Sequence, residues 1–329
     1  MKPVRRVLCL ALALLLTLVT VLSGCGKKQK MGGGDLLRIG EEVYTVQEAK
    51  VFLLSQHTIY AGEYGEEIWN VELSEGSFES YIKKALLDYL ERLFLADCAA
   101  RADGIALSVA ENAAVEKATD QFWQGLSEET RTKTGLTREI CLQAFVRYTR
   151  AQIYFRNVLG RGPAEISEEE ARAAVLQIIS VDSTCGIGTA REILEKITAE
   201  KKSAAEAAGG IEGVSVRKET VIRGTYDGNF DTIVFALKKG QWSPVITMPG
   251  EYLLVQCVEV SDPSATAINK AAMEKANRER ELQEALATYG KDITMICNPA
   301  GWEEVSMSAF EGLSPVNFYD YTDGLRADY

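Results

Sequence analysis

Histidine is the scarcest side chain here: among 329 residues only His57 carries an imidazole. A His-based triad, a His pair or a His-built metal site cannot be assembled, and a lone His is ordinarily a satisfied or surface group. Seven cysteines are present, none in a Cys-x-x-Cys spacing, so neither zinc nor a redox pair is signalled. Leaving aside Cys9 and Cys25, the odd set Cys98, Cys141, Cys185, Cys257 and Cys297 keeps at least one thiol free, and they read as small buried apolar residues. Glycine-rich phosphate loops and internal repeats are missing, so no cofactor is called for. Basic charge is in short supply, 36 Lys and Arg against 47 Asp and Glu. A net charge of −11 argues against nucleic acid, whose binders need a basic face.

Long apolar runs are also missing, except one. Lys2, Arg5 and Arg6 precede an uncharged stretch from Val7 to Leu22, which ends in Leu22-Ser23-Gly24-Cys25. A basic start, an apolar core shorter than the roughly 20 residues of a spanning helix and small residues before a cut site mark an export signal. The ending resembles the lipobox of bacterial lipoproteins, whose Cys thiol is the nucleophile that takes up diacylglyceryl. Residues 1–24 are thus expected to be removed and Cys25 to carry the lipid that anchors the chain to the membrane. Without Lys2, Arg5 and Arg6 the charge becomes 33 against 47. Lys27, Lys28, Lys30 and Gly32-Gly33-Gly34 make residues 25–35 a short tether.

Beyond the tether, the pattern is helical for about 130 residues and then changes. Leu37-Arg38-Ile39 and Glu42-Val43-Tyr44 around Gly40 predict a hairpin, and Thr45-Val46-Gln47-Glu48 predicts a helix through about Gln56. Residues 57–76 are less regular. Phe78, Tyr81, Ile82, Ala85, Leu86, Tyr89, Leu90, Leu93 and Phe94 lay an apolar stripe along a helix ending at Asp103-Gly104. Further helices are predicted over 109–125 and 137–158, and Ser167-Glu168-Glu169-Glu170 predicts the start of a short one. Val175–Val181 reads as a strand, 188–207 as helix, Phe230–Lys238 as a short helix, and Trp242–Ile246 and Tyr252–Val260 as strands around Pro249-Gly250. A long charged helix follows over 265–289, then a strand-like Ile293–Ile296. The tail over 306–329, rich in Ser, Tyr, Asp and Gly, is expected to be poorly ordered.

One stretch carries a family resemblance. Phe230-Asp231-Thr232-Ile233-Val234-Phe235-Ala236-Leu237, then Gly240, then Ser243-Pro244-Val245, then Gly250-Glu251-Tyr252-Leu253-Leu254-Val255 resembles the second half of a parvulin (rotamase) domain. Together with the opening Leu37–Thr45 and the lipobox, the layout resembles the PrsA- and SurA-type extracytoplasmic foldases. The resemblance implies an α+β fold: a mostly helical SurA-N-like chaperone domain over 36–165, an inserted parvulin-like domain over 170–262, and a returning C-terminal helix and strand over 264–297. It also implies an address on the outer face of the bacterial cell membrane, unfolded exported polypeptides as partners, and a possible homodimer.

Carried over by position, the family's proline pocket falls on Tyr226, Phe230 and Leu237, and its two histidines fall on Gln177 and Tyr252. Both histidines are therefore replaced, and the family's Gly-Gly-Asp-Leu-Gly segment is absent, with Ser215–Glu219 in its approximate place. Prolyl isomerisation needs neither nucleophile nor proton transfer, only tighter binding of the twisted amide than of the planar one. A Gln177–Tyr252 hydrogen bond across neighbouring strands is the expected replacement for the lost pair. Two functions follow from the resemblance: a peptidyl-prolyl cis-trans isomerase and foldase, or a holdase that uses the parvulin fold only for binding. An envelope scaffold without client binding is a third.

Overall fold

The computed structural model describes residues 31–160 and 165–326; the export signal, Cys25 and residues 26–30 lie outside the described residues. The chain divides into two compact units, residues 1–161 with 281–329 and residues 162–280. It is an α+β protein, with long helices and small antiparallel sheets. No helix among the described residues is long and apolar enough to cross a membrane.

The first unit opens with the hairpin β1 (Asp35–Ile39) and β2 (Glu42–Thr45), turned by Gly40 at φ 59°. Helix α1 (Val46–Tyr64) follows directly, with the Thr45 hydroxyl accepting the Glu48 N–H. It runs eight residues past the expected end at Gln56 and stops at Gly65, whose φ of 80° breaks the helix. A 3-10 turn (Glu66–Asn70) and the two-residue strands β3 (Glu72–Leu73) and β4 (Gly76–Ser77) fill the segment that lacked a periodic pattern.

Helices α2 (Phe78–Ala102), α3 (Val109–Gly125), α4 (Glu128–Thr134) and α5 (Arg138–Leu159) come next. Each starts behind a Ser or Thr whose hydroxyl accepts an N–H of the first turn: Ser77, Ser108, Ser127 and Thr137. These caps satisfy donors that a helix leaves open, and each is worth about 1 kcal/mol. The apolar stripe of α2 is core: Phe78, Ile82, Leu86, Leu90, Leu93 and Phe94 are all buried. Helix α4 carries no apolar periodicity, which is why sequence reading passes over it.

A buried ionic network ties the hairpin to the helices. Asp97, with no exposed surface, accepts Arg150 Nη1 at 2.6 Å, Arg101 Nη2 at 3.0 Å and the Tyr44 hydroxyl at 3.1 Å. The Tyr44 ring stacks on Phe94 with centroids 4.0 Å apart, and the Arg147 guanidinium covers it at 4.2 Å. Arg147 also donates to Glu48 at 2.6 Å. Burial pushes the Glu48 carboxyl up to about 7, against the pull of Arg147. Burial, with Asp88 adding to it, pushes Glu91 on α2 up to about 7 as well.

The second unit holds a four-stranded antiparallel sheet in the order β6-β5-β8-β7. Its members are β5 (Ala173–Asp182), β6 (Val214–Ile222), β7 (Ile246–Met248) and β8 (Glu251–Glu259). The Ser167–Glu170 box forms its reciprocal hydrogen bonds but caps only a turn, because the chain enters β5 at Ala173. The helix expected over 188–207 is two helices, α6 (Gly186–Thr198) and α7 (Ala204–Ala208), parted where Lys201 takes φ 60°. Helix α8 (Gly228–Val234) ends four residues short of the expected Lys238. Residues 242–245 join the sheet through a single bridge, Trp242 to Gln256, since Pro244 has no N–H to give to a ladder.

Helix α9 (Pro263–Gly290) contains the boundary between the units, and its Leu282 and Leu286 are buried in the core of the first. Strand β9 (Met295–Cys297) pairs antiparallel with β1, so the end of the chain completes the sheet begun at its start. The short helix α10 (Pro299–Glu303) follows.

The expectation of a poorly ordered tail from 306 is overturned. Met307, Phe310, Val316, Phe318 and Leu325 are buried in the core of the first unit. Phe318 stacks on Phe145 with centroids 4.2 Å apart. Composition rich in Ser, Asp and Gly hid widely spaced apolar anchors that show neither helical nor strand period.

Candidate functional site

The stretch from Phe230 to Val255 contributes to both faces of the four-stranded sheet, with Phe230, Val234, Leu253 and Val255 on one and Val245, Tyr252 and Leu254 on the other. Along β5, Leu176 and Ile178 point to the same side as Leu253 and Val255 of β8 and Val221 of β6, and α8 packs Phe230 and Val234 onto them. Asp227 positions α8 by accepting the Phe230 N–H at 2.8 Å. The Ser-Pro-Val motif has a local cause. The buried Ser243 donates its N–H to the Val255 carbonyl at 2.7 Å, and its hydroxyl accepts the Val255 N–H at 3.0 Å. Gly240 makes the turn into this pairing at φ 81° and donates to the Cys257 carbonyl.

Phe230 is fully buried, and Tyr226 lies against it with ring centroids 4.2 Å apart. Tyr226, Ile233 and Met248 form the half-buried rim of this apolar cluster. A polar edge adjoins it on β6. The Tyr226 hydroxyl donates to Glu219 Oε1 at 3.2 Å, and Arg217 donates to the same oxygen at 3.3 Å and to the Tyr226 hydroxyl at 3.4 Å. Tyr226, its hydrogen bonds and the apolar rim together offer an aromatic surface beside a fixed guanidinium. Such a surface suits a prolyl ring or another apolar side chain flanked by backbone carbonyls.

The other end of α8 is clamped by two cations. The Arg172 and Arg223 guanidinium groups lie 5.3 and 4.6 Å from the Phe235 ring centroid, and Arg172 donates to the Phe235 carbonyl. Leu237 is buried, with its N–H on the Val234 carbonyl. It lines no rim and contributes packing.

Gln177 and Tyr252 are not brought together. Gln177 stands opposite Gln256, whereas Tyr252 stands opposite Val181, four steps further along β5. At roughly 3.3 Å per residue this is about 13 Å along the strand. No hydrogen bond joins the two. Both also lie on the far side of the sheet. Gln177 falls between Leu176 and Ile178 in an alternating strand, and Tyr252 packs in the cluster of Ile179, Val181 and helices α6 and α7. Strand register, which a single sequence does not reveal, separates them from each other and from Phe230.

No group of His, Cys, Asp and Glu among the described residues could hold a metal ion. His57 stacks on Trp69, with Nε2 2.9 Å from Glu66 Oε2, in the first unit. It anchors the 3-10 turn after α1. Sequence reasoning missed Arg217, Glu219 and Met248. The Arg217/Glu219 alternation on one strand face was the available signal, but β6 is too polar to stand out as a strand.

Solved structures similar to this chain include PrsA- and SurA-like foldases and chaperones. A peptidylprolyl isomerase (PrsA) from Bacillus cereus is 14% identical, with TM-score 0.35, covering 78% of this chain and 97% of that one. Foldase protein PrsA from Lactococcus lactis is 14% identical, with TM-score 0.29, covering 89% and 99%. A structure of the SurA-like chaperones PEB4 and Cj1289 of Campylobacter jejuni is 11% identical, with TM-score 0.27, covering 80% and 99%. No family model matches the sequence, and no curated protein matches it.

Proposed function

We propose that this chain is a lipid-anchored, extracytoplasmic folding factor that binds unfolded exported polypeptides. In this reading the second unit serves as a parvulin-like binding module. The observation that carries it is the Tyr226–Phe230 pair, set on the sheet face that Leu176, Ile178, Leu253 and Val255 line. The lipobox supplies the address, with Cys25 holding the chain where translocated clients emerge unfolded. An acidic chain, 33 basic against 47 acidic residues after the signal, adds like-charge repulsion that keeps complexes with clients soluble.

Binding rather than catalysis is the leading role, because Gln177 and Tyr252 stand apart and away from Phe230. A second reading, residual prolyl isomerisation, draws on Arg217 beside the aromatic rim. A cation there could hold the carbonyl of a twisted X-Pro amide, whose barrier without help is about 18–20 kcal/mol. Two assays separate the readings. Suppression of the aggregation of an unfolded protein reports holding. Acceleration of cis-trans exchange in a proline-containing peptide reports catalysis. Suppression without acceleration supports the binding module, and neither effect from a folded protein refutes both.

A further inference from the structure

The segment from Val305 to Arg326 is bound to the first unit as a ligand would be. It forms only two 3-10 turns, Met307–Phe310 and Phe318–Tyr321, and adds no strand or α-helix. Its apolar anchors enter slots between helices. Phe318 fills an aromatic slot made by Phe52, Phe145 and Tyr148, at centroid distances of 4.9, 4.2 and 5.3 Å. Its backbone is read by short side chains of the helices. The Phe318 N–H donates to Ser55 Oγ at 2.8 Å, and Thr58 Oγ1 donates to the Val316 carbonyl at 3.2 Å. Further along, the Ser314 N–H donates to Thr130 Oγ1 and the Met307 N–H to Glu79 Oε1, both at 2.9 Å. A cleft of about 160 Å³ lies beside the start of the segment, lined by residues of 304–310 and by Lys50, Lys133 and Thr134.

We infer that this seat is a binding groove for extended polypeptide segments carrying an aromatic residue, and that residues 305–326 are its resident occupant, displaced when a client binds. Recognition by an aromatic slot and by hydroxyl contacts to main-chain groups specifies shape and one ring rather than a sequence, as a binder of many unfolded chains requires. Because the segment makes no ladder hydrogen bonds, it can leave the groove without breaking a strand or an α-helix, and its hold rests on the anchors and side-chain contacts named above. As a tethered occupant it acts at an effective concentration of about millimolar, so free peptide competes poorly until the tether's grip is weakened. The inference rests on the reading of the chain as a binder of unfolded polypeptides.

The test uses the chain from Cys25 onward, carrying Cys25→Ser, with and without Phe318→Ala. The probe is a fluorescein-labelled peptide of residues 311–326, followed by fluorescence anisotropy. Phe318→Ala should bind the probe at least about tenfold more tightly than the parent, and a probe that itself carries Phe318→Ala should bind neither. Equal binding to both folded proteins would overturn the inference. Hydrogen exchange on the parent covers the case in which the variant fails to fold. Amides of 313–325 that exchange well ahead of those in α5 support displacement, and exchange in step with α5 overturns it. Binding of a reduced, carboxymethylated protein by the parent is measured alongside. Its absence refutes the folding-factor reading, whereas its presence with an immobile segment refutes only the groove.

Discussion

Gln177 and Tyr252 occupy the same face of one sheet and yet stand four register steps apart, with Phe230 on the opposite face. Whatever the second unit does to a prolyl peptide, these two side chains do not do it jointly. Gln177→Ala and Tyr252→Phe, singly or combined, are expected to leave client binding within roughly twofold of the parent, since both side chains lie on the face away from Phe230 and the hydroxyl of Tyr252 is its only part removed. Tyr226→Ala is expected to weaken the binding of a proline-containing peptide, because it removes the aromatic part of the rim and the hydroxyl that bonds Glu219 and Arg217. Titration calorimetry with one such peptide decides the comparison.

Phe230 plays a different part from Tyr226. It is fully buried among Leu176, Ile178, Leu253 and Val255, so truncation leaves a cavity. Phe230→Ala should destabilise the second unit by about 3–5 kcal/mol, and Phe230→Leu by less. Thermal melts of the two variants, read beside the melt of Tyr226→Ala, separate packing from contact with a ligand.

The Asp97 network predicts a sharper loss in the first unit. Asp97→Ala leaves Arg150 and Arg101 without their buried acceptor and the Tyr44 hydroxyl without one partner. Breaking a buried pair from one side costs about 3–5 kcal/mol. Urea titration should show a lower midpoint, whereas Lys133→Ala, which breaks only the exposed pair with Glu129, should leave it nearly unchanged.

Stability should fall as pH rises. The Glu48 and Glu91 carboxyls go from the ordinary carboxylate range in the unfolded chain to about 7 in the folded one, both through burial. Between those values the folded state holds more protons than the unfolded state, so the contribution is complete below about 4.5 and lost as pH passes through about 7. Melting temperature measured from pH 5 to pH 8 should decline. Glu48→Gln combined with Glu91→Gln should flatten that decline.

Much of the fold could be read from residue types with strong local consequences. The Thr45–Glu48 box gave a helix start that the hydroxyl cap reproduces, and the Phe78–Phe94 stripe gave a helix whose apolar face is buried. The tail failed because its anchors, Phe310, Phe318 and Leu325, are spaced without a period, and what holds them is a long-range partner such as Phe145. The site was half legible. Tyr226 and Phe230 are four residues apart across the start of α8 and meet, since local geometry carries them together. Gln177 and Tyr252 depend on the register between β5 and β8, which is settled by packing on both sheet faces and leaves no mark within either strand. Arg217 and Glu219 were hidden because an edge strand exposed on one side is mostly polar.

The anchor has its own check. Radiolabelled palmitate fed to cells making the full chain should label the protein at Cys25, and Cys25→Ser should abolish both the label and recovery in the membrane fraction. An unlabelled parent chain recovered as a larger, uncleaved species would contradict the lipobox reading.

Everything proposed for this chain depends on its binding unfolded polypeptide when folded. Light scattering of a chemically unfolded protein diluted into buffer, with increasing amounts of the Cys25→Ser chain present, tests it most directly. Scattering is expected to fall in proportion to added chain and to be nearly abolished at about stoichiometric amounts. Undiminished scattering in the presence of a chain shown to be folded by its circular dichroism would contradict it.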